Sequence, residues 1–351
     1  MDLSLSQDQL AVQAAFAEFF DKEASLERVR AAEPLGFDPE LWARLVGTGA
    51  IAMAWPEEAG GDGASRLDLV LVAEQYGRRI APVPFPESVA AGGLLAAAGA
   101  TDLLATIAGG SVLPTIALSP PAAGKLRLVP AGAVAELVVA PDGDTLIALT
   151  RPPGTRPHVP ASPNLGSSPL ADWPLDDGER TVLATGPQAT ALYQDAVADW
   201  KLLTAAALGG LRATALEIGV SYVKARQAFG VIIGSFQAVQ HRLADLVVAG
   251  DGAQLLTYEA AWARDTAQPG TGQADGTAQA DAAALASMAF LFNADCAFRT
   301  ARECLQFHGG YGVTLEYDIQ LYFRRAKAWP LALGDPRREY QRLADLAYPE
   351  E

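Results

Sequence analysis

Three long segments with helical periodicity in the C-terminal half constrain the fold more than any other feature. The first begins at about Asp195 and reads DAVADWKLLTAAALGGLRATALEIGVSYVKARQA, where Gly209 and Gly210 are the weak points. SFQAVQHRLADLVVAGDGAQLLTYEAAWARDTA and, after a polar linker, ADAAALASMAFLFNADCAFRTARECLQFH follow. All three repeat apolar residues at the spacing of one helix face. Helices of this length pack as antiparallel bundles, so we predict a helical bundle over residues 195–351.

Two further regions precede this bundle. Residues 1–113 have helical spacing, with Ser6 as an expected N-cap of the first helix and Asp38 as the start of the helix in DPELWARLVGTG. Residues 114–194 contain the short apolar runs KLRLV, VAELVVA, DTLIALT and RTVLAT, separated by turns rich in proline and glycine. The sequence therefore predicts a mainly α protein with a small β domain between two helical domains.

Composition excludes several classes of protein. Half of the residues are hydrophobic and 19% are charged, which supplies a large core. We find no run of about 18 apolar residues, which predicts that no helix spans a membrane. The N-terminal stretch lacks the basic region of a signal peptide, and Cys296 and Cys304 are too few for a disulfide framework. We therefore expect a cytoplasmic protein.

The net charge of −15 and the pI near 4.6 argue against nucleic-acid binding, which depends on lysine and arginine contacts to phosphates. A phosphate-bearing ligand would need local basic groups or backbone donors on such an acidic surface. We find no histidine, cysteine and carboxylate pattern with the spacing of metal ligands, so no metal site is predicted.

Two segments near helix ends could bind a ligand, although each has an ordinary structural explanation. Arg226 offers a planar guanidinium suited to a phosphate, but an arginine at a helix C-terminus also stabilises the helix dipole. Gly309 and Gly310 in QFHGGYG would let a flat ligand reach the backbone, but glycine is also the common residue after a helix. His308 is more simply explained as a structural histidine than as a catalytic one.

Taken together, these motifs resemble the acyl-CoA dehydrogenase family. RQAFG followed by QAVQHRLAD, and QFHGGYG followed by EYDIQLYFRRAK, resemble its C-terminal domain, and WPEEAGGDGASRLDLVLVAEQYGR resembles its N-terminal domain. The resemblance implies an N-terminal helical domain, a middle β domain and a C-terminal four-helix bundle. It also implies FAD at a subunit interface, oxidation of the α,β bond of an acyl-CoA, and electron transfer to an electron-transfer flavoprotein or a similar acceptor.

The resemblance implies that this chain keeps one half of the shared FAD site. The residues that would hold the ADP end of FAD belonging to a partner subunit are Arg226, Phe229, Gln237, Gln306, Gly309 and Gly310. The half that seats the flavin ring is weaker. TIALSPPAAGKL, at residues 115–126, keeps Pro121 and Gly124 of the family pattern but not its hydroxyl and acidic residues. The β region is also short for a complete eight-stranded barrel, so we call it a reduced middle domain.

The family's catalytic glutamate has no counterpart at either of its usual positions. The resemblance places Leu333 at one of them and Trp200 at the other, and neither side chain can accept a proton. We therefore predict no catalytic residue. Asp199 and Asp335 lie one or two residues away and are the candidates for a displaced base, although a one-residue shift on a helix turns a side chain by about 100°.

These observations predict a subunit that works beside a paralogous catalytic acyl-CoA dehydrogenase subunit. The chain resembles the short subunit without a base in heterotetrameric (α2β2) actinobacterial dehydrogenases of sterol side-chain degradation. That resemblance implies lipid metabolism, and a steroid side-chain CoA thioester as the substrate class. Two alternatives stay open: a self-sufficient homotetramer with a relocated carboxylate base, and a non-enzymatic scaffold subunit without flavin.

Overall fold

The structure of the chain, a computed structural model, describes residues 4–152, 161–267 and 276–347. Most of the predicted linker between the second and third bundle helices lies outside these residues, as does part of the predicted turn PPGTRPHVPASPNLGSSP.

The N-terminal region is helical, as predicted. Its six α-helices are α1 Gln7–Glu23, α2 Leu26–Ala31, α3 Pro39–Val46, α4 Arg66–Arg79, α5 Phe85–Ala97 and α6 Thr101–Ala108. Ser6 caps α1 through a reciprocal capping box with Gln9, and the Asp38 carboxylate accepts hydrogen bonds from two backbone N–H groups at the start of α3. These side chains satisfy donors that a helix N-terminus leaves unpaired, which is why the sequence located both starts.

The middle region is a small β structure. Its strands are β1 Pro114–Ile116, β2 Lys125–Val129, β3 Leu137–Asp142, β4 Thr145–Thr150, β5 Ala171–Pro174 and β6 Glu179–Thr185. One sheet has the order β1-β3-β4-β6, in which β1 is parallel to β3 and the other pairs are antiparallel. β2 pairs with β5 in a separate antiparallel ribbon. The four predicted runs are found in β2, β3, β4 and β6.

The C-terminal region is built from long helices. Its elements are α7 Gly186–Ala225, the hairpin strands β7 Gln227–Ala228 and β8 Val231–Ile232, α8 Gln237–Thr266, α9 Gly276–His308, α10 Ile319–Ala328 and α11 Pro336–Ala347. α7 begins directly after β6, before the predicted start at Asp195. It also continues through Gly209 and Gly210. A Cβ at Gly210 would lie 1.9 Å from the Glu74 carbonyl oxygen, so this glycine allows α4 to cross α7 closely.

The hydrophobic core is continuous across all three regions. A single cluster of buried side chains includes Phe20 and Leu71 of the first region, Trp173 of the second, and Trp200 and Phe290 of the bundle. By length and apolar composition alone, α7 and Asp281–Val313 would be long enough to cross a membrane. Within the fold, 61% and 50% of their most apolar windows are buried, as in the core helices of a bundle.

Candidate functional site

The first candidate surface lies where α7 ends and a short hairpin begins. Arg226 is the C-cap of α7, and the turn between β7 and β8 is made by Phe229 (φ 54°) and Gly230 (φ 80°). Two consecutive positive φ angles are typical of the tight turns that match the twist of a hairpin. The turn holds the Phe229 ring 95% exposed, with the Phe236 ring 6.4 Å away as its edge-to-face neighbour. An aromatic ring this exposed is available to a ligand or another chain.

The glycine segment lies next to this helix end. Gly309–Val313 forms a short 3-10 turn, and the Tyr311 ring centroid lies 5.9 Å from the guanidinium carbon of Arg226. Among the described residues, the exposed Arg226 guanidinium has no carboxylate partner. The structure therefore brings together two of the segments that the sequence singled out and leaves a cation without a counterion between them.

His308 supports this arrangement but does not belong to its surface. Its ring is buried and stacks on Tyr222 with 3.9 Å between centroids. Its Nδ1 hydrogen-bonds the Cys304 carbonyl oxygen at 2.7 Å. Burial lowers the pKa of His308, so the neutral ring is favoured. These contacts indicate a structural role for His308, as predicted from the sequence.

The two glycines differ in the reason for their presence. Gly309 ends α9 at φ 60°, a conformation that favours glycine. Gly310 has no such angle, and a Cβ there would meet nothing within 4 Å. No contact or backbone angle among the described residues requires glycine at position 310. Close approach of an external group to the backbone would require it. Gln306 on the last turn of α9 and Gln237 at the first position of α8 are likewise exposed.

This surface fits the ADP end of a dinucleotide. The unpaired Arg226 guanidinium would meet a pyrophosphate, the backbone at Gly309 and Gly310 is accessible, and the Phe229 ring offers an apolar face. The local positive charge also provides what an acidic chain needs to bind a phosphate.

Of the two positions where the family would place a base, one lies in the core and the other packs against it. Trp200 on α7 is 1% exposed, and its ring lies 5.7 Å from that of Phe290. Leu333 ends the short turn Trp329–Leu333 and packs against the main core cluster. Both side chains fill space that a carboxylate would otherwise occupy.

Asp199 and Asp335 are held in ion pairs. Burial alone would raise the pKa of Asp199, but the charges of Arg264 and Arg66 and their hydrogen bonds at 2.8 Å outweigh it and lower the pKa to about 2. Asp199 lines a cavity with Arg66 and Trp55, away from Trp200. Asp335 is exposed, and a hydrogen bond from Arg337 lowers its pKa. Neither carboxylate has the geometry of a base beside the predicted positions.

The cavity beside Trp200 has a volume of about 270 Å³ and lies between α4, α5, α7, the end of α10 and the loop at residues 164–170. The loop closes one side, because Arg324 donates hydrogen bonds to the Leu165 carbonyl and the Ser167 hydroxyl at 3.3 Å each. The stacked rings of Tyr76 and Trp329, 5.6 Å apart, close another.

A flavin ring does not fit this cavity together with an acyl thioester. Its volume lies just below the range of about 300–1,000 Å³ that small-molecule sites usually have. In the segment that would contact the flavin, the Thr115 hydroxyl already donates to the Pro130 carbonyl. Gly124 adopts φ 77° in the turn before β2, which explains its presence without a ligand. In this segment, the described Thr115 hydroxyl and Gly124 backbone are thus both accounted for by contacts or conformations within the chain.

Glu87 and Thr204 also line this cavity, and the motifs did not reveal them. Glu87 is the third residue of α5 and the single charged residue in FPESVAAGGLLAA. Its carboxylate accepts a long hydrogen bond of 3.4 Å from Trp200 Nε1. Burial raises the pKa of Glu87, against smaller opposing effects of its own backbone N–H and Trp200. The sequence signal that could have identified Glu87 is a single acidic residue in an otherwise apolar helix.

Comparison with known proteins extends these observations. Residues 6–103 match the N-terminal domain of acyl-CoA dehydrogenases, and residues 192–343 match their C-terminal domain. The chain is 32% identical to acyl-CoA dehydrogenase IpdE2 of Mycolicibacterium smegmatis, over 97% of this chain and 98% of the relative. Among solved structures it resembles the ChsE4-ChsE5 complex from Mycobacterium tuberculosis, with a TM-score of 0.84, 26% identity and full coverage of both chains. It also resembles the Tcur3481-Tcur3483 steroid ACAD G363A variant, with a TM-score of 0.80, 27% identity and 98% coverage of both chains.

Proposed function

This chain belongs to the acyl-CoA dehydrogenase family, and from that premise we propose that it is a subunit without its own base, supporting a paralogous catalytic subunit. It would lend Arg226, Phe229 and the Gly309–Gly310 backbone, together with Gln237 and Gln306, to the ADP end of FAD whose flavin ring lies on that partner. The family and the fold predicted from the motifs are confirmed by the domain matches and the structural relatives.

The observation that carries the proposal is the contrast between two separate parts of the chain. The surface around Arg226 is open and holds an unpaired cation, whereas the flavin side is closed by a loop and two stacked rings. Acyl-CoA dehydrogenation removes a proton from Cα and a hydride from Cβ, and FAD supplies the hydride acceptor when it is bound. Within the described residues, Trp200 and Leu333 provide no acceptor for the proton.

The names of the relatives support a substrate class and an assembly. One structural relative is described as a steroid ACAD, and another is a complex of two chains, ChsE4 and ChsE5. We propose that this chain likewise forms a heterotetramer with its partner in the cytoplasm. The complex would act on a bulky acyl-CoA such as a steroid side-chain thioester. An electron-transfer flavoprotein or similar acceptor would receive the electrons.

Expression of the chain alone and together with an acyl-CoA dehydrogenase paralogue encoded beside it tests the proposal. Flavin absorbance and the ratio of the subunits are measured in each preparation. We expect a colourless chain alone, and on co-expression a yellow complex with fewer flavins than subunits and acyl-CoA dehydrogenase activity.

The same preparations distinguish the two alternatives. A yellow and active homomer would identify a self-sufficient enzyme and would contradict the proposal. A complex that forms but stays colourless would identify a scaffold subunit, and would contradict it equally.

A further inference from the structure

The cavity beside Trp200 is largely apolar but contains polar groups that the fold leaves without good partners. The Thr204 hydroxyl is buried, the residue being 3% exposed, and it has no hydrogen-bond partner among the described residues. The Glu87 carboxyl has the long contact to Trp200 Nε1 as its side-chain partner. Tyr76, which is 6% exposed, also lines the cavity. Buried polar groups without partners cost free energy, which a complementary ligand would recover.

The positions of these groups follow from the helices that carry them. Trp200 and Thr204 are four residues apart on α7 and therefore face the same side of the helix. Glu87 lies in the first turn of α5, the helix that packs on this face of α7. Three side chains, two from α7 and one from α5, thus converge on this cavity, and the packing of the two helices fixes their positions.

The cavity offers no unbalanced positive charge to an anion. Arg325 lines it, but its guanidinium pairs with Glu33 at 2.9 Å. Burial raises the pKa of both Glu87 and Tyr76, so the neutral acid and the neutral phenol are favoured. A neutral carboxyl group has an O–H that donates a hydrogen bond and a carbonyl oxygen that accepts one.

We propose that this cavity binds an uncharged, mostly apolar molecule through one carbonyl or hydroxyl oxygen, which Glu87 and Thr204 hold by hydrogen bonds. Small apolar ketones and alcohols are the matching chemical class for a cavity of about 270 Å³. The inference rests on the proposed function in one respect: the flavin ring is held by the partner, so this cavity in the supporting subunit is free to bind another molecule.

Matched two-ring probes test this inference on the purified full chain and on the co-expressed complex. The probes are 2-tetralone, its oxygen-free parent tetralin, and tetralin-2-carboxylate, with affinity measured by calorimetry at pH 5. We expect 2-tetralone to bind about tenfold more tightly than tetralin, because tetralin has no oxygen to accept hydrogen bonds from Glu87 and Thr204, and the carboxylate to bind weakest.

Variants assign the effect to named side chains. Glu87→Leu should weaken the preference for 2-tetralone several-fold, and Glu87→Gln should keep it because the amide still donates. Thr204→Val, which conserves shape, should weaken the preference several-fold, and Glu58→Leu at an exposed site should change nothing. Thermal unfolding confirms that each variant is folded, and Thr204→Val provides the test if Glu87→Leu does not fold.

The pH dependence gives a second readout. As pH rises through the elevated pKa of Glu87, the carboxyl loses its O–H, so 2-tetralone binding should weaken in the wild type and stay constant in Glu87→Gln. Equal binding of 2-tetralone and tetralin, no effect of Glu87→Leu, or a cavity that takes up water and none of the probes would each overturn the inference. The flavin content of the complex is measured separately, so the proposed function stands or fails independently.

Discussion

At the scale of single residues, Trp200 and Leu333 occupy the positions where the family pattern would place a base, and neither side chain can accept a proton. The indole of Trp200 packs against Phe290, and the partly buried Leu333 packs against the same core cluster. Each position contributes to stability by burying apolar surface instead of holding a base. The nearby carboxylates do not compensate, because arginines pair with Asp199 and Asp335.

Restoring a carboxylate at residue 333 tests whether the missing base is the only deficiency. We expect Leu333→Glu to fold with a loss of about 1–2 kcal/mol in the free energy of unfolding, since the site is partly buried. The variant alone should have no dehydrogenase activity, because the proposed function places the flavin ring on the partner subunit. Urea unfolding, flavin absorbance and an acyl-CoA assay check this, with Leu333→Gln as the control. A yellow, active Leu333→Glu homomer would contradict it.

The contacts within the candidate site differ in how far the sequence could predict them. Arg226, Phe229 and the glycine turn stand in motifs, so their residues were predictable, although the sequence did not show that the Tyr311 ring would lie beside Arg226. Glu87 and Thr204 are separated by more than 100 residues and meet only because α5 packs on α7. A local pattern does not contain that information.

At the scale of elements, the predictable helices are those with their own start and stop signals. Ser6, Asp38 and Gly309 mark helix ends through local hydrogen bonds or a positive φ angle. β1 and β5 were not predicted, because they are three and four residues long and exist through pairing with strands elsewhere in the chain. α7 starts earlier than predicted because β6 ends at Thr185 and the helix begins at Gly186, with no loop between them.

The crossing of α4, α7 and α8 contains an acid that should make stability depend on pH. Burial raises the pKa of Glu74 to about 7, although Gln254 and Tyr258 donate hydrogen bonds to its carboxylate at 3.4 and 3.2 Å. A carboxyl with a raised pKa contributes its full stability below its unfolded-state pKa, and this contribution is lost as pH rises through 7.

Replacement of this acid should therefore be stabilising under basic conditions. We expect Glu74→Gln to be more stable than the wild type at pH 8, by up to about 3 kcal/mol, and the difference to vanish near pH 4.5. Urea unfolding across pH 4.5–8 measures it, with the exposed Glu58→Gln as the control. A difference that does not change with pH would show that Glu74 does not titrate in this range.

At the scale of the whole molecule, the bundle presents an apolar surface that suits a partner. Val248, Leu255 and Trp262 on α8 are 73%, 52% and 44% exposed and recur every seven residues, so they form one stripe along the helix. Exposed apolar surface of this kind is typical of subunit interfaces. The stripe belongs to the same bundle as the surface around Arg226, as expected of a chain that shares a cofactor with its neighbour.

The central claim is tested most directly by the affinity of the co-expressed complex for FAD. The measurement compares the wild-type complex with one in which this chain carries Arg226→Ala and the partner is unchanged. Loss of a charge-assisted contact to the pyrophosphate should weaken FAD binding about 10- to 100-fold, while Arg226→Lys should retain part of it. Arg127→Ala, at an exposed arginine of β2, should leave both affinity and subunit ratio unchanged. If Arg226→Ala binds FAD as tightly as the wild type, this chain does not lend its surface to the partner's cofactor.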